Sequence, residues 1–315
     1  GYYTVYPPLL QCVFRLAAWV APESLRLQIA IMKLFILVAE VGSIGLLCRL
    51  AKDRSPWAVW LYALNPLVIV ELTGALHFEA LMVFFCLFGV WMLSRDRVYL
   101  AALAFALAVG AKLLPLLFMP FVFRRLSWVR RVQFGLVFVA SLAGLFWPLA
   151  DPEAAGGFLS SLRLYFHTFE FNASLYYLLK WILPAGQHAI YAHFLAAVVA
   201  VVVLAMAFGG RQPGAKQSRS LLRQMTLSLT IFFLGATTIH PWYLAPLVAF
   251  AALTPLRFPL VWTMVIPWTY VTYRTIDYEQ STLLIIVEYL VVYGLLFYEW
   301  GLKGEGRTLE EVVYE

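Results

Sequence analysis

Apolar runs separated by short polar connections occupy most of this chain, and they restrict its fold more than any other feature. A helix needs about 20 apolar residues to cross ~30 Å of hydrocarbon. Lipid offers the backbone no hydrogen-bond partner, so a spanning segment must be a helix or a strand of a closed barrel. Runs of this length favour helices. They lie at residues 28–48, 57–73, 77–93, 98–111, 113–123, 132–149, 187–208, 222–239, 242–256, 258–273 and 282–300.

The composition places the chain in the same class. Hydrophobic residues make up 63% of the 315 residues and charged residues 13%, whereas a soluble domain is about a quarter charged. The sequence contains no visible internal repeat and no separate soluble domain. We therefore predict an all-α, polytopic integral membrane protein. It would form a single transmembrane domain over residues 1–315, with about eleven spans that include short half-helices.

The connections between the runs differ in charge, and this difference predicts the orientation. Short loops rich in Lys and Arg stay in the cytoplasm, and with eleven spans the basic clusters all fall on one side. We therefore expect a cytoplasmic loop at 209–221, a cytoplasmic tail at 302–315 and an extracytoplasmic loop at 151–186. Membrane orientation accounts for the net charge of +6, which is not read as a nucleic-acid-binding surface.

Lys112 determines how the segment 98–123 should be interpreted. As one span, the segment would bury this lysine near mid-membrane at about 2.5–3.5 kcal/mol, and the next arginine cluster would lie on the wrong side. Two half-helices that meet at Lys112 avoid both difficulties, because irregular backbone is tolerated at depth beside protein or a cavity. We therefore predict a helix break within a recess. The ammonium would suit an anionic phosphate, or it would snorkel and only stabilise the break.

Two further candidates lie at the outer turn between the second and third runs. His77 and Glu79 are separated there by one residue. A carboxylate near an imidazole could orient a phosphate, hold a metal or move a proton. A hydrated turn in which His77 and Glu79 simply pair with each other is the alternative. Glu71 lies inside the preceding run, where it needs a buried partner or a water pocket.

Asn172 and Arg274 are polar candidates on the same outer side. Asn172 precedes the helical run 175–183, so we interpret it first as a helix N-cap. Its amide could also bind sugar hydroxyls. Arg274 could grip a phosphate, or it could pair with Asp277 nearby.

His240, Trp242 and Tyr243 open the short apolar run that begins at residue 242. The aromatic faces suit a sugar ring or an isoprenoid chain, and His240 could donate a hydrogen bond to a phosphate. The same residues would also serve as an interfacial belt that anchors the chain.

Six short motifs follow one another along the chain: Tyr6-Pro7-Pro8-Leu9, Asn65-Pro66-Leu67, His77-Phe78-Glu79-Ala80-Leu81, Lys112 with Pro115, Phe171-Asn172 and His240-Pro241-Trp242-Tyr243. Taken in this order, they resemble the GT-C superfamily of membrane glycosyltransferases, which use polyprenyl-phosphate sugars as donors. The likeness covers nearly the whole chain, and it is a likeness in particular to the polyprenol-phosphate-mannose-dependent mannosyltransferases and their bacterial relatives.

The resemblance implies an inverting transfer of a hexose, expected to be mannose, from a polyprenyl-phosphate donor to a glycan or glycolipid acceptor. Lys112, His240 and Arg274 would face the donor phosphate. His77 and Glu79 would line the cavity near the sugar. No nucleotide or other cofactor is predicted, no metal ligands are assigned, and the need for a divalent metal is left open. The remaining residues of the expected substrate-binding set are Tyr6, Asn172, Trp242 and Tyr243.

The resemblance also implies an acidic base in an outer loop that precedes the Tyr-Pro-Pro motif. That expectation puts the base upstream of residue 1, with Glu79 as the fallback where the family often has aspartate. The expected location is a bacterial inner membrane, with the site on the extracytoplasmic side. The expected partners are the lipid-linked donor, the acceptor and membrane lipid, without nucleic acid.

The main alternative is a lipid or solute transporter or flippase, because transporters also contain broken helices and polar residues at membrane depth. Transporters often show internal repeats, and their sites alternate between the two sides. Here the candidate residues gather on one side, which favours an enzyme. A membrane scaffold without catalysis would leave Lys112 and His77 without a use.

The predicted orientation can be tested by cysteine labelling in a variant that lacks Cys12, Cys48 and Cys86. A membrane-impermeant reagent should label a cysteine at Ser160 from outside the cell and one at Ser218 only after the membrane is opened, because Lys and Arg cluster beside the second position. Labelling of both positions from the same side would contradict the orientation.

Overall fold

The computed structural model describes residues 4–51, 57–183, 188–209, 217–274 and 276–304, with the backbone alone for 162–168, 188 and 300–304. Over these ranges the chain is helical and contains no strand. One isolated bridge pairs Phe171 with Thr238. The prediction of an all-α protein is therefore confirmed.

The helices follow one another through short connections, and several begin or end in a turn of different pitch. Helix α4 continues as a π-helix over Ile69–Gly74, and 3₁₀ segments at Leu114–Phe118, Trp147–Leu149, Pro241–Tyr243 and Ile266–Arg274 adjoin α7, α8, α13 and α14. The α-helices are α1 (Pro8–Val20), α2 (Leu25–Ala51), α3 (Trp57–Ala63), α4 (Pro66–Val68), α5 (Glu79–Ser94), α6 (Val98–Ala111), α7 (Met119–Arg125), α8 (Trp128–Phe146), α9 (Pro152–Thr168), α10 (Leu175–Ile182), α11 (His188–Phe208), α12 (Ser218–Gly235), α13 (Leu244–Ala251), α14 (Phe258–Val265) and α15 (Thr282–Gly304).

Five of the described helical segments are long and apolar enough to cross a membrane. The shorter apolar helical segments are Pro8–Val20, Glu79–Ser94, Val98–Ala111, which ends at the predicted break, and Pro241–Ala251. The runs predicted from sequence thus exist as helices, but several of them are too short to span the bilayer alone. The five segments are Leu25–Ala51, Trp57–Gly74, Trp128–Leu149, Ala189–Phe208 and Thr282–Glu299.

The helix break at Lys112 is confirmed. Helix α6 ends at Ala111, and Lys112 has an extended backbone with φ −157° and ψ 142°. The chain then turns through Leu114–Phe118 before α7 begins at Met119. Pro115 and Pro120 stand near the starts of these two segments, where a proline is tolerated because its missing N–H would be unpaired anyway.

Two helices occur where the sequence suggested only outer connections. Helix α1 lies within residues 1–27, and α9 lies within the predicted loop 151–186. Asp151 begins α9, and its side chain accepts a hydrogen bond from the N–H of Ala154. The search for apolar runs did not predict α9, because the sequence of this helix is less apolar than those of the predicted spans. The predicted helical run 175–183 is confirmed as α10, whereas the side of the membrane on which these helices lie stays a prediction.

Small residues let the central helices approach closely. Helix α6 packs against both α5 and α8, and its alanines Ala101, Ala102 and Ala106 are completely buried. Close approach through small side chains is the usual way for helices to associate within a membrane. Gly89 of α5 lies directly against the ring of Phe105, and this contact fixes the packing of the two helices whose ends carry Glu79 and Lys112.

We expect Gly89→Ala to destabilise the protein, because its added Cβ would lie 2.7 Å from Cε2 of Phe105. Overpacking of this kind costs about 1–3 kcal/mol. Gly45→Ala is the matched control, since nothing lies within 4 Å of its added Cβ and a helical Gly→Ala change usually stabilises by about 0.5–1 kcal/mol. Thermal unfolding in detergent should give a lower midpoint for the first variant than for the second. Equal midpoints would contradict the packing.

Candidate functional site

An ion pair between Glu79 and Lys112 lies at the centre of the candidate site. Glu79 is the first residue of α5, and Lys112 follows the last residue of α6. A carboxylate is stabilised at a helix N-terminus and an ammonium at a helix C-terminus, so each charge stands at the favourable end of its helix. The Glu79 side chain is 4% exposed and that of Lys112 is 26% exposed. The carboxylate is therefore buried, while the ammonium stays partly accessible.

Tyr243 completes the surroundings of Lys112. The ammonium nitrogen lies 4.1 Å from the centre of the Tyr243 ring, a distance at which the ring face attracts a cation. Tyr243 belongs to the 3₁₀ turn before α13. The lysine is thus held between a carboxylate from α5 and an aromatic ring from the chain before α13, although these segments are far apart in sequence.

Four rings form a continuous column beside this ion pair. The rings of His77 and Trp242 stack with centres 3.8 Å apart and planes 10° apart. On its other face Trp242 stacks with His240, at 4.3 Å and 7°. Phe171 follows His240 at 4.7 Å and 28°. Both faces of Trp242 are therefore covered by imidazoles.

Glu71 stands behind His77. The π-helical turn at Ile69–Gly74 carries Glu71, and insertions of this kind in a helix commonly redirect a side chain at functional sites. Oε2 of Glu71 lies 3.5 Å from Nε2 of His77, and Oε1 accepts a short hydrogen bond from the hydroxyl of Tyr270. The buried partner that Glu71 needed is thus Tyr270 together with His77.

Both imidazoles of the column are held neutral at neutral pH. Burial lowers the pKa of His77, which Glu79 opposes and Lys112 reinforces. Burial also lowers the pKa of His240 to about 3, with further lowering from Lys112 and His77. Nδ1 of His240 is buried without a hydrogen-bond partner in the described part of the chain. Lys112 therefore supplies the positive charge of this cluster, and the two histidines supply neutral donors or acceptors.

The structure brings together most of the residues that the sequence singled out. His77, Glu79, Lys112, His240, Trp242 and Tyr243 form one cluster. The charge of Glu79 also reaches Tyr6, since the pKa of the Tyr6 hydroxyl is raised by burial and then by that charge. His77 and Glu79 do not pair with each other, however. Each has a different partner, Glu71 for the histidine and Lys112 for the glutamate.

The predicted N-cap at Asn172 is wrong. The residue before α10 is Ser174, which makes no side-chain cap, and Asn172 has a positive φ of 49°. Its amide instead donates to Oε1 of Glu288 at 3.0 Å. The Asn172 side chain is completely buried, so it contacts the ring column only through its neighbour Phe171.

Arg274 lies at the end of the turn Ile266–Arg274 with an exposed side chain. Among the described ion pairs, none joins it to Asp277. The described contacts of the cluster likewise do not include Arg274. Sequence reasoning required a buried partner or a water pocket for Glu71, gave it no role in the site, and did not select Tyr270. Only the position of a carboxylate inside an apolar run could have indicated Glu71, and nothing in the sequence distinguishes Tyr270 from the other outer tyrosines.

In the described part of the chain, no group of three or more His, Cys, Asp or Glu side chains is arranged to hold a metal ion. The cluster instead combines one ammonium, two carboxylates, two neutral imidazoles and several aromatic rings. Such a set can bind an anionic group, donate hydrogen bonds to oxygen atoms and accept a proton.

A comparison with known protein families finds a match for the N-terminal part of the chain. Residues 3–129 match the family described as alpha-(1->6)-mannopyranosyltransferase, N-terminal domain. A search of curated proteins found no match. Over these residues the match supports the resemblance to mannosyltransferases, and with it a glycosyltransferase. The matched part contains His77, Glu79 and Lys112, whereas His240, Trp242 and Tyr243 lie beyond it.

The lowered pKa of His240 predicts that acid destabilises the fold. An unfolded histidine has a pKa of about 6.5, and the folded value is about 3. Between these values the unfolded chain binds more protons, so stability falls as pH falls, by up to about 1.4 kcal/mol per pH unit. His240→Phe keeps a ring for stacking and removes the titration. We expect its free energy of unfolding in detergent to vary less with pH between about 6.5 and 5 than that of the wild type.

His193→Phe is the control, because His193 is an exposed histidine on α11. Its unfolding should keep the pH dependence of the wild type. If His240→Phe also kept that dependence, the buried neutral imidazole would be contradicted.

Proposed function

We propose that this protein is a membrane glycosyltransferase that moves a hexose, mannose by its family match, from a polyprenyl-phosphate donor to a glycan or glycolipid acceptor. The proposal includes a site on the extracytoplasmic side, in a bacterial inner membrane. The observation that carries it is Lys112, a partly accessible ammonium at a helix break, held between Glu79 and Tyr243. A lipid-linked phosphate carries its negative charge at the end of an apolar chain, and an ammonium at the end of an apolar helix matches that charge as a point donor.

Lys112 would stabilise the phosphate as it leaves. During transfer the acceptor hydroxyl attacks the anomeric carbon, the bond from that carbon to the phosphate oxygen breaks, and polyprenyl phosphate departs with its negative charge. An ammonium carries three N–H donors. One of them faces Glu79, which leaves others for phosphate oxygens. Glu79 would position the ammonium, and a fixed donor of this kind is most effective where charge develops in the transition state.

The histidines would supply neutral contacts to the donor. Because His240 stays neutral far below pH 7, it would donate one N–H to an oxygen rather than act as a second cation. Trp242 would not stack on a sugar, since both of its faces are covered. It would instead hold the two imidazoles parallel. The proposed substrate set also retains Tyr6, Asn172 and Arg274 from the sequence. Of these, Tyr6 has a hydroxyl on which the charge of Glu79 acts.

Two described side chains are candidates for the proton acceptor. Glu79, the fallback from sequence, is already bound to Lys112 and its side chain is only 4% exposed. His77 is neutral and has Glu71 3.5 Å from its Nε2, so the carboxylate would stabilise the imidazolium formed when His77 takes the acceptor's proton. We therefore favour His77 over Glu79 among the described residues.

Lys112→Met tests this assignment in the chain reconstituted with a radiolabelled polyprenyl-phosphate mannose donor. Removal of one donor that stabilises developing negative charge typically lowers kcat by about 10²–10³-fold, and we expect a loss of that order together with weaker donor binding. Lys180→Met is the matched control, because Lys180 is also an ion-paired lysine, 2.6 Å from Glu170. It should transfer mannose at nearly the wild-type rate.

Unchanged turnover and donor binding in Lys112→Met would leave Lys112 with a structural role only. A wild-type protein that moved the donor lipid between leaflets without transferring its sugar would favour the alternative of a transporter or flippase.

A further inference from the structure

Asn172 is bound through its backbone and its side chain to α15 and to Gln280, which lies just before α15. Its N–H donates to Oε1 of Gln280 at 2.8 Å, and its carbonyl accepts from the hydroxyl of Tyr289 at 2.6 Å. The left-handed backbone of Asn172, with φ 49°, is one that asparagine tolerates better than most residues. The side-chain amide donates to Oε1 of Glu288 at 3.0 Å. Asn172 is therefore fixed in position by α15 together with the residue Gln280 before it.

Glu288 and Asn172 each retain one buried acceptor without a donor. Oε1 of Glu288 accepts from Asn172 and, at 2.8 Å, from Nε1 of Trp262. Oε2 of Glu288 and Oδ1 of Asn172 are both buried and have no hydrogen-bond partner. These are the second atoms of the two planar groups that already share one hydrogen bond. Among its described contacts Glu288, which is 1% exposed, has no cation.

An ionised carboxylate would be costly in this environment. A buried charge without a counter-charge is strongly disfavoured, and two unpaired acceptors on adjoining groups repel each other. A single proton on Oε2 of Glu288 removes both difficulties, because it neutralises the carboxylate and can be donated to Oδ1 of Asn172. A carboxylic acid and a primary amide then form a ring closed by two hydrogen bonds.

We infer that Glu288 carries a proton at neutral pH, that its acid group closes a two-hydrogen-bond ring with the amide of Asn172, and that this ring positions Phe171 against His240. Phe171 is the residue immediately before Asn172. Its N–H donates to the carbonyl of Thr237 at 3.1 Å, and its carbonyl accepts from the N–H of Ile239 at 2.8 Å. The Phe171 ring then stacks on His240.

The hydrogen-bonded pair of Glu288 and Asn172 thus fixes Phe171, which lies at one end of the column of stacked rings. Phe171 is held by its main-chain hydrogen bonds and stacks on His240. The positioning role rests on the proposed function, whereas the proton on Glu288 does not. Glu288 would be a positioning residue, since it reaches the cluster only through Asn172 and Phe171.

Infrared spectroscopy tests the proton directly. The spectrum of Glu288→Gln is subtracted from that of the wild type at about pH 7, where an ordinary glutamate is ionised. We expect a positive C=O stretching band of a carboxylic acid, which shifts to lower frequency in D₂O. Carboxylate bands in its place would show that Glu288 is ionised and would overturn the inference.

The same variant tests the ring by conservative replacement. A glutamine can donate its N–H to Oδ1 of Asn172 and accept at its oxygen, so it reproduces a neutral acid. We expect Glu288→Gln to unfold near the wild-type temperature and to transfer mannose within about twofold of the wild-type rate. Glu288→Leu has similar bulk but leaves the buried N–H groups of the Asn172 amide and of Trp262 without an acceptor. We expect this loss to lower both the folded population and the rate of mannose transfer by roughly tenfold or more.

Asn172→Gly separates the backbone from the side chain. Glycine adopts the same positive φ freely but lacks the amide, so it should resemble Glu288→Leu and not the wild type. An Asn172→Gly variant as active and stable as the wild type would overturn the positioning role, as would a Glu288→Gln variant as impaired as Glu288→Leu. If the wild type itself transfers no sugar, the proposed function fails, and the infrared band and the unfolding temperatures still decide on the proton.

Discussion

The pairing of one ammonium with one carboxylate, at the adjoining ends of two apolar helices, is the interaction on which the rest of the site depends. A single buried charge in a medium of low dielectric constant is unfavourable, and loss of one partner from a buried pair usually destabilises by about 3–5 kcal/mol. Glu79 and Lys112 meet this requirement from the ends of two helices whose dipoles favour those charges. Because the two ends must lie side by side, α5 and α6 are held in one register. The close contact of Gly89 with Phe105 preserves that register along their length.

The second half of the site obeys a different constraint, since its groups are uncharged. His77, Trp242 and His240 gain their order from stacking and exclusion of solvent. Burial, reinforced by the nearby ammonium, keeps the two imidazoles neutral. A cation beside neutral nitrogen donors is well suited to a group that carries negative charge on several oxygens. Tyr243 joins the two halves, because it touches Lys112 and follows Trp242 in the chain.

The helix break was predictable because one residue violated a strong rule. A lysine in an apolar run must either be buried at a high energy or end the helix, and the positions of the arginines decided between these outcomes. The partner of that lysine was not predictable. Glu79 lies 33 residues away from Lys112 in sequence, and from the sequence His77 was an equally reasonable partner for the Glu79 carboxylate. In the structure the π-helical turn carries Glu71, and it is Glu71 that lies beside His77. Asn172 failed as an N-cap because its distant contact with Glu288, 116 residues away, outweighs a local hydrogen bond. Local patterns carry no information on such contacts.

The ring column draws its members from widely separated parts of the chain, and this has a consequence for biosynthesis. His77 lies in the matched N-terminal part, Phe171 lies in the middle of the sequence, and His240 and Trp242 lie in its last third. As the ribosome delivers the chain into the bilayer, the pair of Glu79 and Lys112 becomes available early. The column cannot form until about 130 further residues have been synthesised, because Trp242 lies that far beyond Lys112 in the chain. Until then His77 lacks the ring that covers its face. The charged half of the site is therefore assembled before the aromatic half, and a nascent chain arrested between the two would hold its ammonium and carboxylate together with no aromatic wall beside them.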